Sequence, residues 1–212
     1  MAHKIQTKQE ELFNAVTHGI GFLLALVLVP LLLTKASHTN SLLLAATSVF
    51  SFGFLMVYLS STLYHLAHKP EAKKNLRIWD HISIFFLIGG TYTPIIIKYT
   101  NQDTALVFLG IMWLLIISGS VLKVFFIGQY DNVSTFIYLA LGWMVVFVAK
   151  PLYSNMPFEI FAWILAGGLA YTFGVIFYKR EKLKFQHGIW HLFVLAGTLF
   201  QYVAIYECVG YM

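Results

Sequence analysis

The chain has 212 residues, of which 59% are hydrophobic and 11% are charged, and its formal net charge is +5. Soluble domains carry about 25% charged residues, so this composition excludes an ordinary soluble domain. The apolar residues form continuous runs and not the alternating segments of about ten residues that build a transmembrane barrel. The composition therefore indicates an all-α membrane protein, and the basic excess requires no nucleic-acid partner.

Seven stretches of the sequence lack any Asp, Glu, Lys or Arg. Each stretch, with its flanking residues, can supply the roughly 20 residues of a spanning helix. We predict a seven-transmembrane helix bundle as a single domain over residues 1–212, with spans near residues 16–34, 42–65, 79–98, 105–126, 133–151, 158–178 and 187–207. Because no small-residue cleavage site follows the first run, we expect an uncleaved first span in a multi-pass protein of the cell (plasma) membrane.

The basic residues are distributed unevenly over the predicted loops. With the N-terminus inside, eleven Lys and Arg residues fall on the cytoplasmic side and three, Lys35, Lys98 and Lys150, on the outside. Cytoplasmic loops carry such an excess, so we predict a cytoplasmic N-terminus and an external C-terminus. Compartment-specific reporters fused to each terminus check this prediction. A cytoplasmic C-terminus would mean that one of the seven spans is wrong.

Polar residues mark the predicted cytoplasmic ends of the first two helices. Glu11, Asn14 and His18 are spaced by three and four residues, so they share one helix face. Both a second shell around a site and a simple polar helix entrance fit this pattern. Ser61 and His65 are four residues apart at the end of the second helix. A hydroxyl bonded to its own helix backbone is the common alternative for Ser61.

Asp80, His187 and His191 lie at the predicted cytoplasmic ends of the third and seventh helices. The i, i+4 spacing of the two histidines places both rings on one helix face, where they can bind one metal. In a soluble helix two surface histidines would be the simpler interpretation, but polar side chains in a span are costly and often functional. For Asp80 the alternative is a favourable interaction with the helix macrodipole. Since His65 reaches the same depth, the four side chains are expected to converge.

Three imidazoles with an open fourth position are typical of a catalytic zinc site. Zinc is favoured over iron or copper because three neutral imidazoles suit it and no thiolate is available, although the sequence leaves other metals open. A carboxylate at the same depth, such as Asp80, can orient or deprotonate a water at the metal.

The order of these residues resembles the progestin and adipoQ receptor family. The resemblance rests on Ser61-x3-His65, Asp80 at the next helix start, and His187-x3-His191. The opening Glu11-x2-Asn14-x3-His18-Gly19 and the segment GGTYTP at 89–94 look like the bacterial hemolysin III-like branch. The resemblance implies zinc on His65, His187 and His191, a water held by Asp80 with Ser61 nearby, and kinship with membrane-embedded ceramidases.

Three functions follow from these observations. The first is a zinc-dependent hydrolase of lipid amide or ester bonds, involved in membrane lipid homeostasis, with Asp80 as general base and Ser61 as donor to the developing oxyanion. The second is a non-enzymatic sensor of membrane state in which zinc is structural. The third, a pore-forming cytolysin, is disfavoured because no helix carries a polar stripe for a water-filled pore. The expected partners are membrane lipids, including a lipid substrate.

Overall fold

The computed structural model describes residues 6–180 and 182–210, and within these ranges it contains helices and no strands. Lys4, one of the eleven basic residues predicted on the cytoplasmic side, falls outside the described residues. The α-helices are α1 (Lys8–Ala36), α2 (Ser41–Leu66), α3 (Pro70–Tyr99), α4 (Gln102–Phe126), α5 (Asp131–Gly142), α6 (Ala149–Asn155), α7 (Phe158–Tyr178) and α8 (Gln186–Gly210). Within these ranges seven spans are long and apolar enough to cross a membrane, which confirms the predicted seven-transmembrane helix bundle, while its orientation stays a prediction.

Side chains just ahead of three helices explain where those helices begin. Before α1, Thr7 and Glu10 form a capping box, in which each side chain satisfies a backbone N–H of the other residue. Asn40 and Asn101 accept hydrogen bonds from backbone N–H groups in the first turns of α2 and α4. These caps stabilise the unpaired N–H groups of the first helical turn. They fix the start of α2 directly before its apolar run, and those of α1 and α4 a few residues ahead of theirs.

The third helix begins at Pro70, nine residues before the predicted start at residue 79. Proline fits the first turn of a helix because its missing N–H would have no partner there. The added turns carry Lys73 and Arg77 and extend the helix beyond its apolar part. Asp80 therefore lies inside the helix and not at its beginning, so the prediction that Asp80 begins the helix was wrong. A favourable interaction of Asp80 with the helix macrodipole requires a position in the first turn, so that alternative no longer applies.

The fifth span is broken, although the sequence predicts one continuous helix over 133–151. After α5 the chain forms a 3-10 helix (Met144–Val148) before α6 begins. The Tyr92 hydroxyl of α3 donates to Gly142 O at 2.5 Å and accepts a hydrogen bond from Val145 N at 2.9 Å. This side chain satisfies backbone groups that the break leaves without helical partners, which makes the break tolerable inside a membrane.

The outward surfaces of the bundle are apolar. Phe136 of α5 is 71% exposed and Phe147 in the fifth span is 81% exposed, and similar residues cover α1 and α4. Such large exposed apolar surfaces are unfavourable in water and favourable against lipid tails. The core lies between the helices and is rich in aromatic residues, with Phe50, Phe54, Tyr58 and Phe85 at most 1% exposed.

Close packing of α2 against α3 depends on two glycines. A Cβ atom built on Gly53 would lie 2.8 Å from the Leu87 Cα, and one on Gly90 would lie 2.7 Å from the Phe50 Cα. Small residues at such crossings allow backbones to approach in membrane bundles. The contact fixes α2 beside α3, and these two helices carry His65 and Asp80.

We expect Gly90→Ala to destabilise the bundle by about 1–3 kcal/mol, because the added methyl group meets helix backbone that cannot move aside. Gly110→Ala is the matched control, since a Cβ there meets nothing within 4 Å. The control is expected to be neutral or stabilising by up to about 1 kcal/mol through helix propensity. Unfolding of both variants in one detergent checks the difference, and equal behaviour would contradict the packing assignment.

Candidate metal centre

Three histidines from two helices meet at the end of the bundle where α1 and α8 begin, which we call the inner end. His65 lies in the last turn of α2, and His187 and His191 lie in the first two turns of α8. One ring nitrogen from each lies within 4.8 Å of the corresponding nitrogens of the other two. The ring centroids are 4.5 Å apart for His187 and His191, and 5.2 Å apart for each of these with His65. The structure thus brings together the three predicted ligands, and we call them the histidine group.

The hydrogen bonds of two of these rings leave the correct nitrogens available for a metal. His65 Nδ1 lies 2.6 Å from Glu11 Oε2, and His191 Nδ1 lies 3.3 Å from the carbonyl oxygen of Asn14 and 3.2 Å from Thr17 Oγ1. A carboxylate or a carbonyl only accepts, so both Nδ1 atoms carry the proton. The Nε2 atoms of both rings are buried without a hydrogen-bond partner among the described residues. Their lone pairs suit a metal ion, which resolves an otherwise costly arrangement.

Helix α1 packs against the histidine group but supplies none of its three imidazoles. Glu11 bonds His65, and His18 stacks on His191 with ring centroids 3.5 Å apart and an angle of 17° between the rings. The backbone of Asn14 accepts from His191, while its side chain donates to Gln6. The structure thus places Glu11, Asn14 and His18 against the histidine group, as a second shell around it would require. Sequence analysis missed Thr17, although its position three residues after Asn14 places it on the same face.

Asp80 and Ser61 lie beside the histidine group. Asp80 interacts electrostatically with His65 and lies next to Ser61. The Ser61 hydroxyl is buried and has no hydrogen-bond partner among the described residues, so the predicted alternative, a bond to its own helix backbone, is not formed. Among the described residues, Asp80 is not a member of the group whose ligand atoms meet within 4.8 Å. Its position fits a carboxylate that acts next to a metal and not on it. His81 lines the same cavity and is likewise outside the group.

A cavity of about 420 Å³ connects this region with the middle of the bundle. At the inner end it is lined by the charged side chains Glu11, Lys73, Arg77 and Asp131. His65, His187 and Asp80 border it further in, followed by apolar residues that include Ile84, Leu87, Ile88, Ile95, Leu152 and Phe161. The cavity therefore changes from charged to apolar along its length, with the histidine group at the boundary.

Comparison with known proteins agrees with this arrangement. The family model described as "Haemolysin-III related" matches residues 6–202. The chain belongs to the haemolysin-III related family. It is 38% identical over 206 residues to "Hemolysin-3" of Bacillus cereus, which covers 97% of this chain and 94% of that protein. It is 39% identical over 204 residues to "Hemolysin-3 homolog" of Bacillus subtilis (strain 168), which covers 96% and 94%.

A more distant relative is the "Monocyte to macrophage differentiation factor" of Homo sapiens. It is 26% identical over 165 residues, which make up 75% of this chain and 68% of that protein. This relative belongs to the progestin and adipoQ receptor family, so the resemblance drawn from the motifs is confirmed. Membership and the seven spans also confirm a multi-pass protein of the cell membrane.

In this haemolysin-III related chain, Glu11→Gln is expected to lower metal affinity about 10- to 100-fold. This is the usual effect of losing the hydrogen-bond partner of a metal ligand. The amide cannot replace the carboxylate in polarising His65, and it also loses the ion pair with Lys73, whose Nζ lies 2.6 Å away. Competition with a chromophoric chelator measures the affinity. Glu71→Gln removes an exposed carboxylate from the first turn of α3 and is the control. Equal affinities for the two variants would show that Glu11 does not support His65.

Proposed function

We propose that the protein is a zinc-dependent hydrolase of a lipid amide or ester bond, with its active site at the histidine group. The observation that supports this best is the shared cavity. It brings His65 and His187 of the histidine group, the Asp80 carboxylate and a long apolar wall into one space. Zinc suits the donor set because it binds neutral imidazoles, and a site with three histidines leaves a position for substrate or water. A closed structural site would need no such adjoining space.

The chemistry follows from the side chains around this space. Zinc bound by His65, His187 and His191 would supply Lewis acidity, which polarises the scissile carbonyl and activates water. Asp80 would accept the proton of the attacking water and then donate it to the leaving nitrogen or oxygen. Ser61 would orient Asp80 or donate a hydrogen bond to the developing oxyanion. The products are a carboxylic acid and an amine or alcohol, so atoms and protons balance without a further reactant.

The shape of the cavity matches a lipid substrate. Ile95 lies fifteen residues after Asp80 on α3, so the apolar part extends roughly 22 Å from the acid along the helix axis. One leaflet of a bilayer is about 15 Å of hydrocarbon, half of the full core thickness. An acyl chain can therefore lie between the helices while its carbonyl group stays near Asp80 and the histidine group.

The orientation of the bundle in the membrane belongs to the same proposal. We place the inner end in the cytoplasm, as the distribution of basic residues predicts. Substrate would then be hydrolysed near the cytoplasmic headgroup region. The water-soluble part of the product would leave through the charged end of the cavity.

Turnover of a defined lipid tests the proposal. The purified protein is incubated in detergent with a long-chain N-acyl amide or the matching ester, and the released fatty acid is measured by mass spectrometry. We expect release with zinc present, loss after chelation and recovery when zinc is returned. Zinc-loaded protein that releases no acid from either substrate would favour a non-enzymatic sensor of membrane state, in which zinc only links α2 to α8.

The names of the Bacillus relatives refer to haemolysis. Leakage of dye from vesicles, measured with the same preparation, tests whether the protein forms pores.

A further inference from the structure

An ion triad stands at the inner end of the cavity and joins three helices. Arg77 of α3 donates from Nη2 to Asp131 Oδ2 at 2.9 Å, and Lys123 of α4 lies 3.8 Å from Asp131 Oδ1. Arg77 and Asp131 line the cavity, whereas Lys123 stands behind them with 6% of its side chain exposed. All three side chains are largely removed from water, so their charges interact more strongly than they would at an open surface.

The triad has more positive than negative charge. Two cations share one carboxylate, which leaves a net charge of +1 at this point. The neighbouring pair of Glu11 and Lys73 is neutral by itself. Asp80, the next acid along the cavity, interacts more strongly with His65 and Ser61 than with Arg77, so it offsets only part of this charge. Excess charge in a partly desolvated site is unfavourable without a counterion, so the triad favours an anion in the adjoining cavity.

Two tyrosines add hydrogen-bond donors to the same part of the cavity. Tyr64 at the end of α2 and Tyr178 at the end of α7 both line it, and both interact electrostatically with Arg77. Within the described residues neither hydroxyl forms a hydrogen bond with another protein group. Lys73 lies 5.0 Å from the centroid of the Tyr64 ring, which adds a further cation close by. A guanidinium and two phenols are well suited to the oxygens of a tetrahedral anion.

We propose that the inner end of the cavity is a binding subsite for a phosphate-like anionic group, with Arg77 as its main cation and Tyr64 and Tyr178 as donors. The group fits a lipid headgroup whose tail follows the apolar walls past the histidine group. Free phosphate has the same chemistry and is distinguished by experiment. The subsite extends the proposed function by naming a headgroup class. The subsite proposal rests on the proposed function in one respect, because the anionic ligand occupies the same cavity as the lipid substrate.

Binding of octyl phosphate tests the subsite, with octanol and inorganic phosphate as comparison ligands. Trp143 and Trp190 line the cavity, so tryptophan fluorescence in an uncharged detergent reports binding. We expect octyl phosphate to bind at least about tenfold more tightly than octanol. Arg77→Gln is expected to weaken octyl phosphate about tenfold or more and to leave octanol nearly unchanged. Competition by inorganic phosphate alone at similar affinity would support the anion subsite and assign it to the free ion.

The controls separate a binding role from a structural one. Lys74→Gln removes the same charge from an exposed position on α3 outside the cavity, and its effect should stay within about twofold. Tyr64→Phe keeps the ring and the charge, and is expected to weaken octyl phosphate about threefold or more without lowering thermal stability. Equal effects of Arg77→Gln and Lys74→Gln, or no preference of the wild type for octyl phosphate over octanol, would overturn the proposal.

The outcome does not depend on hydrolysis, because octyl phosphate contains neither an amide nor a carboxylic ester. Binding at Arg77 without lipid turnover would leave the subsite in place and reject the hydrolase. Turnover of a neutral amide without octyl phosphate binding would reject only the subsite.

Discussion

Replacing His187 by alanine is expected to reduce bound zinc from one ion per chain to nearly none and to lower the thermal stability of the protein in detergent. His187 shares the histidine group with His65 of α2, while it is itself part of α8. A metal held by both helices contributes its binding energy to folding, because the site does not exist in the unfolded chain. Loss of the ligand His187 should therefore lower metal affinity by more than the roughly 10- to 100-fold expected when a hydrogen-bond partner of a ligand, such as Glu11, is lost.

The comparison for this variant is His81→Ala, which removes an imidazole that lines the cavity outside the histidine group. It should keep its zinc. Adding a chelator should lower the unfolding temperature of the wild type and of His81→Ala, but not that of His187→Ala. Wild-type protein whose unfolding is the same with and without chelator would show that no metal links α2 to α8.

Asp80→Asn is expected to keep zinc and to lose hydrolytic activity by about 10²- to 10⁴-fold, the range for removal of a general base. The amide can still hydrogen-bond a water but cannot accept its proton. Asp80 lies beside Ser61 and His65 without joining the histidine group, so the substitution leaves the three imidazoles in place. Zinc content and fatty-acid release measured on one preparation check both parts.

The two ways in which this prediction can fail have different meanings. If Asp80→Asn releases zinc, Asp80 is a ligand and its assigned role is wrong. If it retains full turnover, another group accepts the proton. His65→Ala provides the contrast, since it should weaken zinc binding itself by removing one of the three imidazoles.

The convergence of the histidines could be predicted from sequence because it depends on two simple geometric rules. Residues four apart share a helix face, as His187 and His191 do, and alternating spans bring the end of one helix to the level of the start of the next. The bundle itself follows from the length of the uncharged runs. These features are local or depend only on the direction of the chain through the membrane.

The parts that could not be predicted depend on contacts between helices. The break in the fifth span is supported by Tyr92, whose hydroxyl reaches Gly142 and Val145 from α3. The bond from His65 to Glu11 joins residues 54 positions apart. The early start of α3 could not be predicted, because its first turns are polar. A run of apolar residues marks only the part of a helix that crosses the membrane.

Whether the histidine group binds zinc is best measured by zinc X-ray absorption and elemental analysis on protein purified without chelator. We expect one zinc ion per chain with three imidazole nitrogens at about 2.0–2.1 Å. His191→Ala, prepared in the same way, should lose this signal. A wild-type chain without metal, or a metal whose spectrum is unchanged in His191→Ala, would show that the histidine group is not a zinc site.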